Sequence, residues 1–391
     1  MEKLWKYKKI GEVCIVERGA SPRPIDKYIT DNESGINWIK IGDTSDSMYI
    51  TETAQKIIVE GMKKSRYVKP GDFLLSNSMS FGRPYILKID GCIHDGWLVL
   101  RDENALFDKR FLYYYLSSKT TYKKLKSMAV GGVVNNLNSE MVRNVIVPVP
   151  DKEEQSEIAD LFDKIKKILD DRKQELEQLD TLVKSRFVEL FGDPVINSRG
   201  WKKALIGADC FVTKLAGFEY TQYINYEDSG DVVMVKAQNV KNGKLNRKEL
   251  SFVSNEVSDS LPRSQLAPGD VVMTYVGANI GDVAIIDNEY KYHLAPNVAK
   301  IRPDSERYNS IYFMYMLMLL NAYIVKNSAD TAKAALGMER IRKLNVFVPP
   351  MELQNQFADF VASVDKSKSK IQKSLEETQL LFDSLMQKYF G

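Results

Sequence analysis

The chain has 391 residues, enough for two or three domains with substantial hydrophobic cores. Hydrophobic residues make up 44% of the chain and charged residues 27%, which is ordinary for a soluble globular protein. The formal net charge is only +3, whereas a protein that grips DNA by itself usually carries a larger basic excess. The composition therefore neither requires nor excludes a nucleic-acid partner.

The sequence also argues against a membrane-spanning helix, a signal peptide, a disulfide framework and a metal site. No apolar run approaches the roughly 18 residues of a membrane-spanning helix, and the first residues lack a signal-peptide core. The 3 cysteines are too few and too scattered for a disulfide framework or a zinc site, and 2 histidines argue against a His-based metal centre. We expect a cytoplasmic protein with no metal and no cofactor in this chain.

The first 149 residues are predicted to form an α+β domain, because strand and helix patterns mix there without strict alternation. A helix rich in aromatic residues is expected from Phe107. The strands are expected at 12–16, 38–41, 73–75, 84–89, 97–101 and 145–149.

Residues 150–193 are predicted to form one long helix. Asp151 with Glu154 forms a capping-box pattern at its start, and Gly192 followed by Pro194 is a stop signal. At about 1.5 Å per residue such a helix spans roughly 60 Å. Its apolar residues recur every three or four positions, and a seam of this kind needs a partner. The seam consists of Phe162, Ile165, Leu169, Leu176, Leu179 and Val183.

The second half of the chain repeats the first. Trp5 corresponds to Trp201, His94 to His293, and the segment beginning at Pro150 reappears without a gap from Pro349. Residues 194–348 are thus predicted to be a second, similar domain, and residues 349–391 a second long helix. We expect the two helices to pair in antiparallel orientation as a coiled-coil spacer, which gives a pseudo-two-fold internal repeat. The second seam consists of Val364, Ile371, Leu375, Phe382 and Leu385.

Catalytic motifs are missing from the sequence. No phosphate-cradling GxxxxGK[ST] or GxGxxG loop is present, and no Asn/Asp-Pro-Pro-aromatic motif of an amino-methylating enzyme is found. His94 and His293 occupy equivalent places in the repeat, and we expect a structural role for both, each satisfying backbone groups at the end of a strand. These absences favour a protein without a catalytic centre of its own.

The sequence resembles the specificity subunits of type I restriction–modification systems. The resemblance covers essentially the whole chain and rests on the order of its motifs, of which the starts of the long helices and the Pro-Gly-Asp turns occur in both halves and the others once. They are VPVPDKEEQSEIADLFDKI and VFVPPMELQNQFADFV at the starts of the long helices, FGDP from Phe191, GASPRP from Gly19, GINWIKIGD from Gly35 and the two Pro-Gly-Asp turns. The second domain departs from this pattern, since AGFEYTQYINYEDSGD stands where the first has GASPRP.

The resemblance implies two target-recognition domains, each reading one half of a bipartite, asymmetric sequence in double-stranded DNA. It also implies that the helices fix the unread gap and dock two methyltransferase subunits, with motor and nuclease (restriction) subunits joining the complex. AdoMet, ATP and Mg²⁺ would then belong to those partners, and this chain would be a non-catalytic subunit.

The candidate DNA-contacting residues are polar side chains in loops at matched places of the two domains. Arg and Lys suit guanine and phosphate, whereas Asn and Gln suit adenine. Lys40 and Lys236 are equivalent in the repeat, so we expect them to hold phosphate. The candidates are Arg18, Arg23, Lys40, Ser76, Asn77, Arg83, Tyr220, Lys236, Gln238, Asn239, Lys241 and Thr274.

Two other functions are compatible with the sequence. One is a self-sufficient DNA methyltransferase or nuclease with divergent motifs, against which the missing cofactor loop argues. The other is a coiled-coil adaptor that binds proteins rather than DNA, which the modest net charge leaves open.

Overall fold

The computed structural model describes residues 5–77, 81–129, 136–326 and 335–391. The chain divides into two compact units. The first comprises Met1–Lys173 with Lys373–Gly391, and the second comprises Gln174–Gln372. Each unit therefore combines one globular domain with part of each long helix.

The first unit contains two larger sheets and a two-stranded ribbon. Its described strands are β1 (Lys6–Lys9), β2 (Ile15–Arg18), β3 (Ile29–Thr30), β4 (Ile36–Ile39), β5 (Tyr49–Ile50), β6 (Gln55–Ile57), β7 (Arg66–Val68), β8 (Phe73–Ser76), β9 (Pro84–Leu87), β10 (Gly91–Ile93), β11 (Trp97–Arg101) and β12 (Ile146–Val149). One sheet has the order β3-β6-β4-β10-β7 and the other β2-β11-β8-β9-β5, while β1 pairs with β12. Most neighbours are antiparallel, but β4 and β10 are parallel, as are β5 and β9.

Short α-helices lie between these strands along the chain, and the first long helix follows the last strand. They are α1 (Ile10–Val13), α2 (Val59–Met62), α3 (Lys109–Ser117), α4 (Lys119–Ala129) and α5 (Ser139–Arg143), and the long helix is α6 (Lys152–Phe191). Asp108 caps α3 by accepting hydrogen bonds from the backbone N–H groups of Arg110 and Phe111. The buried face of α3 packs between the sheet of β2, β11, β8 and β9 and the start of α6 in one hydrophobic core.

The helix pair of the first unit joins the start of α6 to the end of the chain. Phe162 is fully buried and stacks on Phe390, with ring centroids 5.7 Å apart. It also meets the edge of Phe382 at 5.5 Å and that of Tyr389 at 6.0 Å. Since an early residue of one helix meets late residues of the other, the helices run antiparallel here.

The second unit has the same plan. Its described strands are β13 (Lys203–Leu205), β14 (Cys210–Lys214), β15 (Val232–Val235), β16 (Val240–Lys241), β17 (Lys244–Leu245), β18 (Phe252–Val253), β19 (Gln265–Leu266), β20 (Val271–Thr274), β21 (Val283–Ile285), β22 (Lys291–Leu294), β23 (Val298–Pro303) and β24 (Asn345–Phe347). Its helices are α7 (Ile206–Asp209), α8 (Gly217–Tyr223), α9 (Asn255–Ser260), α10 (Ser310–Leu319), α11 (Asn321–Lys326), α12 (Met338–Arg342) and the second long helix, α13 (Met351–Phe390). The helix pair is antiparallel here too, because Phe187, late in α6, meets Phe357, early in α13, at 5.3 Å.

Strand order confirms the internal repeat and the α+β fold. The sheet β18-β15-β22-β19 of the second unit has the order of β6-β4-β10-β7 in the first. The sheet β14-β23-β20-β21 likewise has the order of β2-β11-β8-β9. The ribbon β13–β24 corresponds to β1–β12. The first unit adds the edge strands β3 and β5, whereas the second adds α8 and the hairpin β16–β17.

One strand prediction near the N-terminus was wrong. Residues 12–16 were expected as a strand, but the chain forms the helical turn α1 first and β2 only from Ile15. Ile10 and Val13 are both buried, a spacing that one helical turn places on one face. The predicted domain boundaries, 1–149, 150–193, 194–348 and 349–391, stay predictions.

Across the described ranges, no helix is long and apolar enough to cross a membrane.

Candidate nucleic-acid interface

In the first unit, the turn between β10 and β11 contacts polar side chains from two other segments, residues 18–23 and Asn77. The Asp95 carboxylate accepts hydrogen bonds from Ser21 Oγ at 2.9 Å and from Arg23 Nη2 at 3.0 Å. Its backbone carbonyl accepts from Arg18 Nε at 3.1 Å and from Asn77 Nδ2 at 2.8 Å. Three of the candidate residues, Arg18, Arg23 and Asn77, thus meet at one point, which we call the Asp95 hub.

Glycine allows the loop that carries these arginines to approach the hub. A Cβ atom on Gly19 would lie 2.0 Å from the backbone oxygen of His94, far inside van der Waals contact. The Gly19 N–H donates to the carbonyl of Trp97 at 2.9 Å and so locks the loop beside β11. The Gly-Ala-Ser-Pro-Arg-Pro segment therefore starts with glycine because any side chain would push the arginines away from Asp95.

His94 is held neutral under this loop. The N–H of Gly96 points at its Nδ1 at 2.7 Å, and the N–H of Ile41 points at its Nε2 at 3.2 Å. An imidazolium would oppose both N–H groups, whereas neutral imidazole accepts at one nitrogen. Burial lowers the pKa of His94 and outweighs the nearby Asp95 carboxylate, which raises it. The expectation that His94 serves backbone groups agrees with these contacts.

Hydrogen bonds keep Asp95 ionised. Partial burial alone would raise the pKa of Asp95, but the hydrogen bonds from Ser21 and Arg23 outweigh it and lower that pKa below its ordinary value. The Arg23 side chain stays 79% exposed while it pairs with this anion. Arg23 is therefore oriented by Asp95 and still presents N–H groups to solvent, as a group poised for phosphate or a base edge would.

Lys40 and Lys236 occupy equivalent turns in the two units. The N–H of Lys40 donates to Asp43 Oδ2 at 2.7 Å, and that of Lys236 donates to Asn239 Oδ1 at 3.0 Å. The ammonium of Lys40 donates to Gln55 Oε1 at 2.7 Å. That of Lys236 donates to Ser251 Oγ at 2.9 Å. Both lysines are half-buried and pre-positioned by neutral acceptors, so their charge is not cancelled by a carboxylate at these contacts.

Among the first-unit candidates, Ser76 and Asn77 are buried, and Arg83 lines another cleft. Ser76 is buried, and its hydroxyl accepts from the N–H of Arg83 at 2.9 Å across the β8–β9 hairpin. Asn77 is also buried at the hub. The Arg83 guanidinium pairs with exposed Asp46 at 3.2 Å and lines a different cleft. Ser76 and Asn77 therefore shape the loops in this structure and are not exposed to a ligand.

A pair of tyrosines lies to one side of Lys236 in the second unit. Its ammonium lies 5.8 Å from the ring centre of Tyr226, and the Tyr226 ring is 6.1 Å from that of Tyr220. Burial, and then Tyr220, raise the pKa of Tyr226 to about 12, so its hydroxyl remains a donor at neutral pH. The α8 segment also leaves the Phe218 side chain 67% exposed. The second unit thus offers aromatic rings where the first offers arginines.

The other second-unit candidates differ in exposure. Gln238 is exposed and donates to Glu249 Oε2 at 3.2 Å, and Lys241 is exposed on β16. Asn239 is buried and donates to the carbonyl of Asn246 at 2.9 Å, so it closes its turn. Thr274 is buried at the end of β20. DNA contact stays a prediction for all of the candidates in both units.

Sequence reasoning missed Asp95 and Lys214, which lie beside or at the equivalents of the candidate residues. Asp95 carries no recognisable motif, because its role depends on loops that meet only in the folded domain. Lys214 is the repeat equivalent of Arg18, ends β14 as Arg18 ends β2, and lies 5.4 Å from the Tyr275 ring. Lys214 could have been found from the sequence, because the offset that relates Trp5 to Trp201 also relates Arg18 to Lys214.

All seam residues of the two long helices are buried or half-buried. Phe162, Ile165, Leu169, Val183 and Val364 are buried. The half-buried remainder are Leu176, Leu179, Ile371, Leu375, Phe382 and Leu385. Lys368, which stands where the first helix has Leu169, donates to Asp180 of the facing helix in the second unit.

The described residues of this arrangement offer hydrogen-bond donors and positive charge. Within the part of the chain that the structure describes, no three His, Cys, Asp or Glu side chains are grouped so as to bind a metal ion.

A sequence model described as "Type I restriction modification DNA specificity domain" matches residues 2–179 and 212–378. The chain belongs to this family. The match occurs twice, once for each half, and so agrees with the repeated strand order. It confirms the resemblance drawn from the sequence motifs.

Named relatives and solved structures agree with this assignment. The MjaVIII type I restriction enzyme specificity subunit of Methanocaldococcus jannaschii is 23% identical over 95% of this chain and 90% of its own length. A chain from a structural study of type I restriction–modification assembly and conformational transition matches with a TM-score of 0.64 at 17% identity, covering 99% of this chain and 97% of its own. The type I S subunit from M. genitalium matches with a TM-score of 0.56 at 14% identity, covering 99% and 96%.

The chain is thus a DNA-specificity subunit of a type I restriction–modification complex and is itself non-catalytic. This assignment displaces the two alternatives, a self-sufficient methyltransferase and an adaptor for proteins alone.

Proposed function

We propose that each unit reads one half of a bipartite, asymmetric DNA sequence. The observation that carries the proposal is the combination of a shared four-strand order in both larger sheets with different loops. The first unit presents Arg18 and Arg23 at the Asp95 hub. The second unit instead places Tyr226 and Tyr220 beside Lys236, the equivalent of Lys40. Because base identity is read by side chains at the groove, two unlike sets of side chains on one scaffold suit two unlike half-sites.

The long helices act as the spacer between the half-sites in this proposal. Each is continuous over 40 residues, or roughly 60 Å at about 1.5 Å per residue. Half-sites read from one face of a duplex are separated by about one helical turn, roughly 34 Å. Helices of this length can span that distance, and a paired helix keeps it more constant than a flexible linker would.

Methylation and cleavage belong to partner subunits in this account. Two methyltransferase subunits would bind AdoMet, and motor and nuclease (restriction) subunits would use ATP and Mg²⁺. A methyltransferase must place its flipped base in register, which a fixed spacer favours. A cytoplasmic location stays a prediction that follows from action on DNA.

Lengthening the spacer tests the proposal. Seven residues of matched heptad pattern are inserted into both helices, after Lys173 and after Gln372, and the methylated motif is mapped at base resolution. Because seven helical residues add about 10 Å, the unread gap should grow by about three base pairs, with the half-site letters unchanged. A changed half-site at constant gap would contradict the spacer role.

A further inference from the structure

A groove in the first unit is not used by the Asp95 hub. It consists of two adjoining cavities of about 720 and 880 Å³ that share Ser47, Arg83, Tyr113 and Ser117. The first lies between the β8–β9 hairpin and α4, and the second continues toward the two long helices. We call this pair of cavities the α4 groove.

The floor of the α4 groove is apolar and aromatic. Phe81 and Tyr122 form an edge-to-face pair, with centroids 6.4 Å apart, in the first cavity. Met48, Phe382 and Met386 line the second. Methionine and aromatic side chains adapt to the shape of an inserted apolar residue, so this floor suits a docked apolar face.

The rim of the groove is basic. Six cationic residues line it, and three of them are already paired, Arg83 with Asp46, Lys166 with Asp170 and Lys119 with Asp383. Lys123 and Lys126 of α4 are exposed and form no ion pair with any described residue. The rim therefore favours a negatively charged partner. The six are Arg83, Lys119, Lys123, Lys126, Lys166 and Lys173.

An apolar floor with a basic rim fits an acidic amphipathic helix better than a DNA backbone. A helix in a groove buries residues at i, i+3, i+4 and i+7 and turns its charged flanks to the rim. A phosphate backbone would satisfy the lysines and leave the aromatic floor without an apolar partner. The combined volume of the two cavities also exceeds that of a site for one small ligand.

We propose that the α4 groove docks an acidic amphipathic helix of the methyltransferase subunit. This proposal rests on the proposed function for the identity of the partner subunit. It assigns a docking surface to the first recognition domain, in addition to the long helices.

Photo-crosslinking in the reconstituted complex tests the proposal. The full chain, with p-benzoylphenylalanine in place of Tyr122, is assembled with its cognate methyltransferase and with DNA, and the crosslinked peptides are identified by mass spectrometry. We expect one acidic, amphipathic segment of the methyltransferase. Crosslinks to DNA, to a different subunit, to a segment that is neither acidic nor helical, or to nothing would each overturn the proposal.

Charge reversal gives an independent measurement that separates this proposal from the reading function. The double variant Lys123→Glu/Lys126→Glu should raise the Kd for the methyltransferase at least tenfold. The matched control Lys6→Glu/Lys8→Glu, on exposed β1, should change it less than threefold. The methylated motif, mapped at saturating methyltransferase, should keep its letters. An unchanged Kd, or an altered motif, would overturn the docking proposal. A different result, in which the unsubstituted chain directs methylation to no specific motif, would overturn the proposed function.

Discussion

The side-chain oxygen of Gln155 accepts a hydrogen bond from the backbone N–H of Asp108 at 2.7 Å and so joins the first turn of the long helix to the N-cap of α3. Its amide nitrogen donates to the carbonyls of Leu106 at 3.2 Å and Pro150 at 2.9 Å. In the second unit, Gln354 makes the equivalent three hydrogen bonds, to Asn309, Arg307 and Pro349. Each recognition domain is thus fastened to its long helix by a fully buried glutamine.

Replacing Gln155 by Ala should loosen this junction. Three backbone groups lose their partner, and each buried unsatisfied group costs about 1–3 kcal/mol, so we expect a loss of about 3 kcal/mol or more. For a unit of this size that corresponds to a fall in Tm of roughly 6 to 12 °C in differential scanning calorimetry. Gln178→Ala, at an exposed position of the same helix, is the control and should change Tm by less than about 2 °C. Equal effects of the two variants would contradict the anchoring role.

Phe162→Ala should destabilise the helix pair of the first unit. Phe162 is fully buried and meets Phe382, Tyr389 and Phe390, so its removal leaves a cavity that costs about 3–5 kcal/mol. Ile168→Ala is the matched control, because Ile168 is 44% exposed on the same helix and its loss should cost less than about 1 kcal/mol. Denaturant unfolding followed by circular dichroism measures both variants. A cost for Ile168 as large as that for Phe162 would show that the seam lies on another face.

The long helices and the repeat could be predicted because their signals are local and occur twice. The heptad spacing of Phe162, Ile165 and Leu169 and the stop at Gly192 define a helix before any tertiary contact is known. The structure places the two helices at Lys152–Phe191 and Met351–Phe390, close to the expected ends. Buried strands such as Trp97–Arg101 were likewise visible as short apolar runs.

The recognition loops could not be predicted in the same way. Asp95 binds Arg18, Arg23 and Asn77 only because three segments that are distant in sequence come together in the folded domain, and no pattern of residue types indicates this contact. Ser76 and Thr274 are polar but buried, because the repeat places both at the end of a central strand. α8 was hidden in a segment whose sequence departs from the first half, so the repeat gave no guide to it.

Stability should fall as the pH drops below about 6.5, owing to the two histidines. Burial lowers the pKa of both His94 and His293 in the folded chain. The unfolded chain, with a histidine pKa of about 6.5, then binds more protons than the folded one below this pH. Their contribution is complete above pH 6.5 and is lost as the pH falls toward the folded pKa. Tm measured from pH 7.5 to 5.5 should decrease, and His94→Asn should make the decrease shallower. An identical slope in the variant would exclude His94 as a source.

Asp95→Asn should weaken DNA binding by the assembled complex. The substitution removes the anion that orients Arg23, and partly frees the loop that carries it. Since Asp95 is 41% exposed and its ion pair is screened by water, we expect a moderate loss, about fivefold to tenfold in Kd for the cognate sequence. Asp31→Asn, at an exposed site of the same domain, is the control and should leave the Kd within about twofold. Fluorescence anisotropy with a labelled duplex at fixed salt measures both.

The central claim is that this chain selects the DNA sequence that its complex methylates. The most direct test is a base-resolution methylation map of cells that express the chain with its cognate methyltransferase, compared with cells that lack the chain. We predict a split motif with a fixed unread gap that disappears on deletion, and a change in one half-motif only when residues 1–149 are replaced by another recognition domain. Methylation that is unchanged by deletion of the chain, or a domain exchange that alters both half-motifs, would contradict the account.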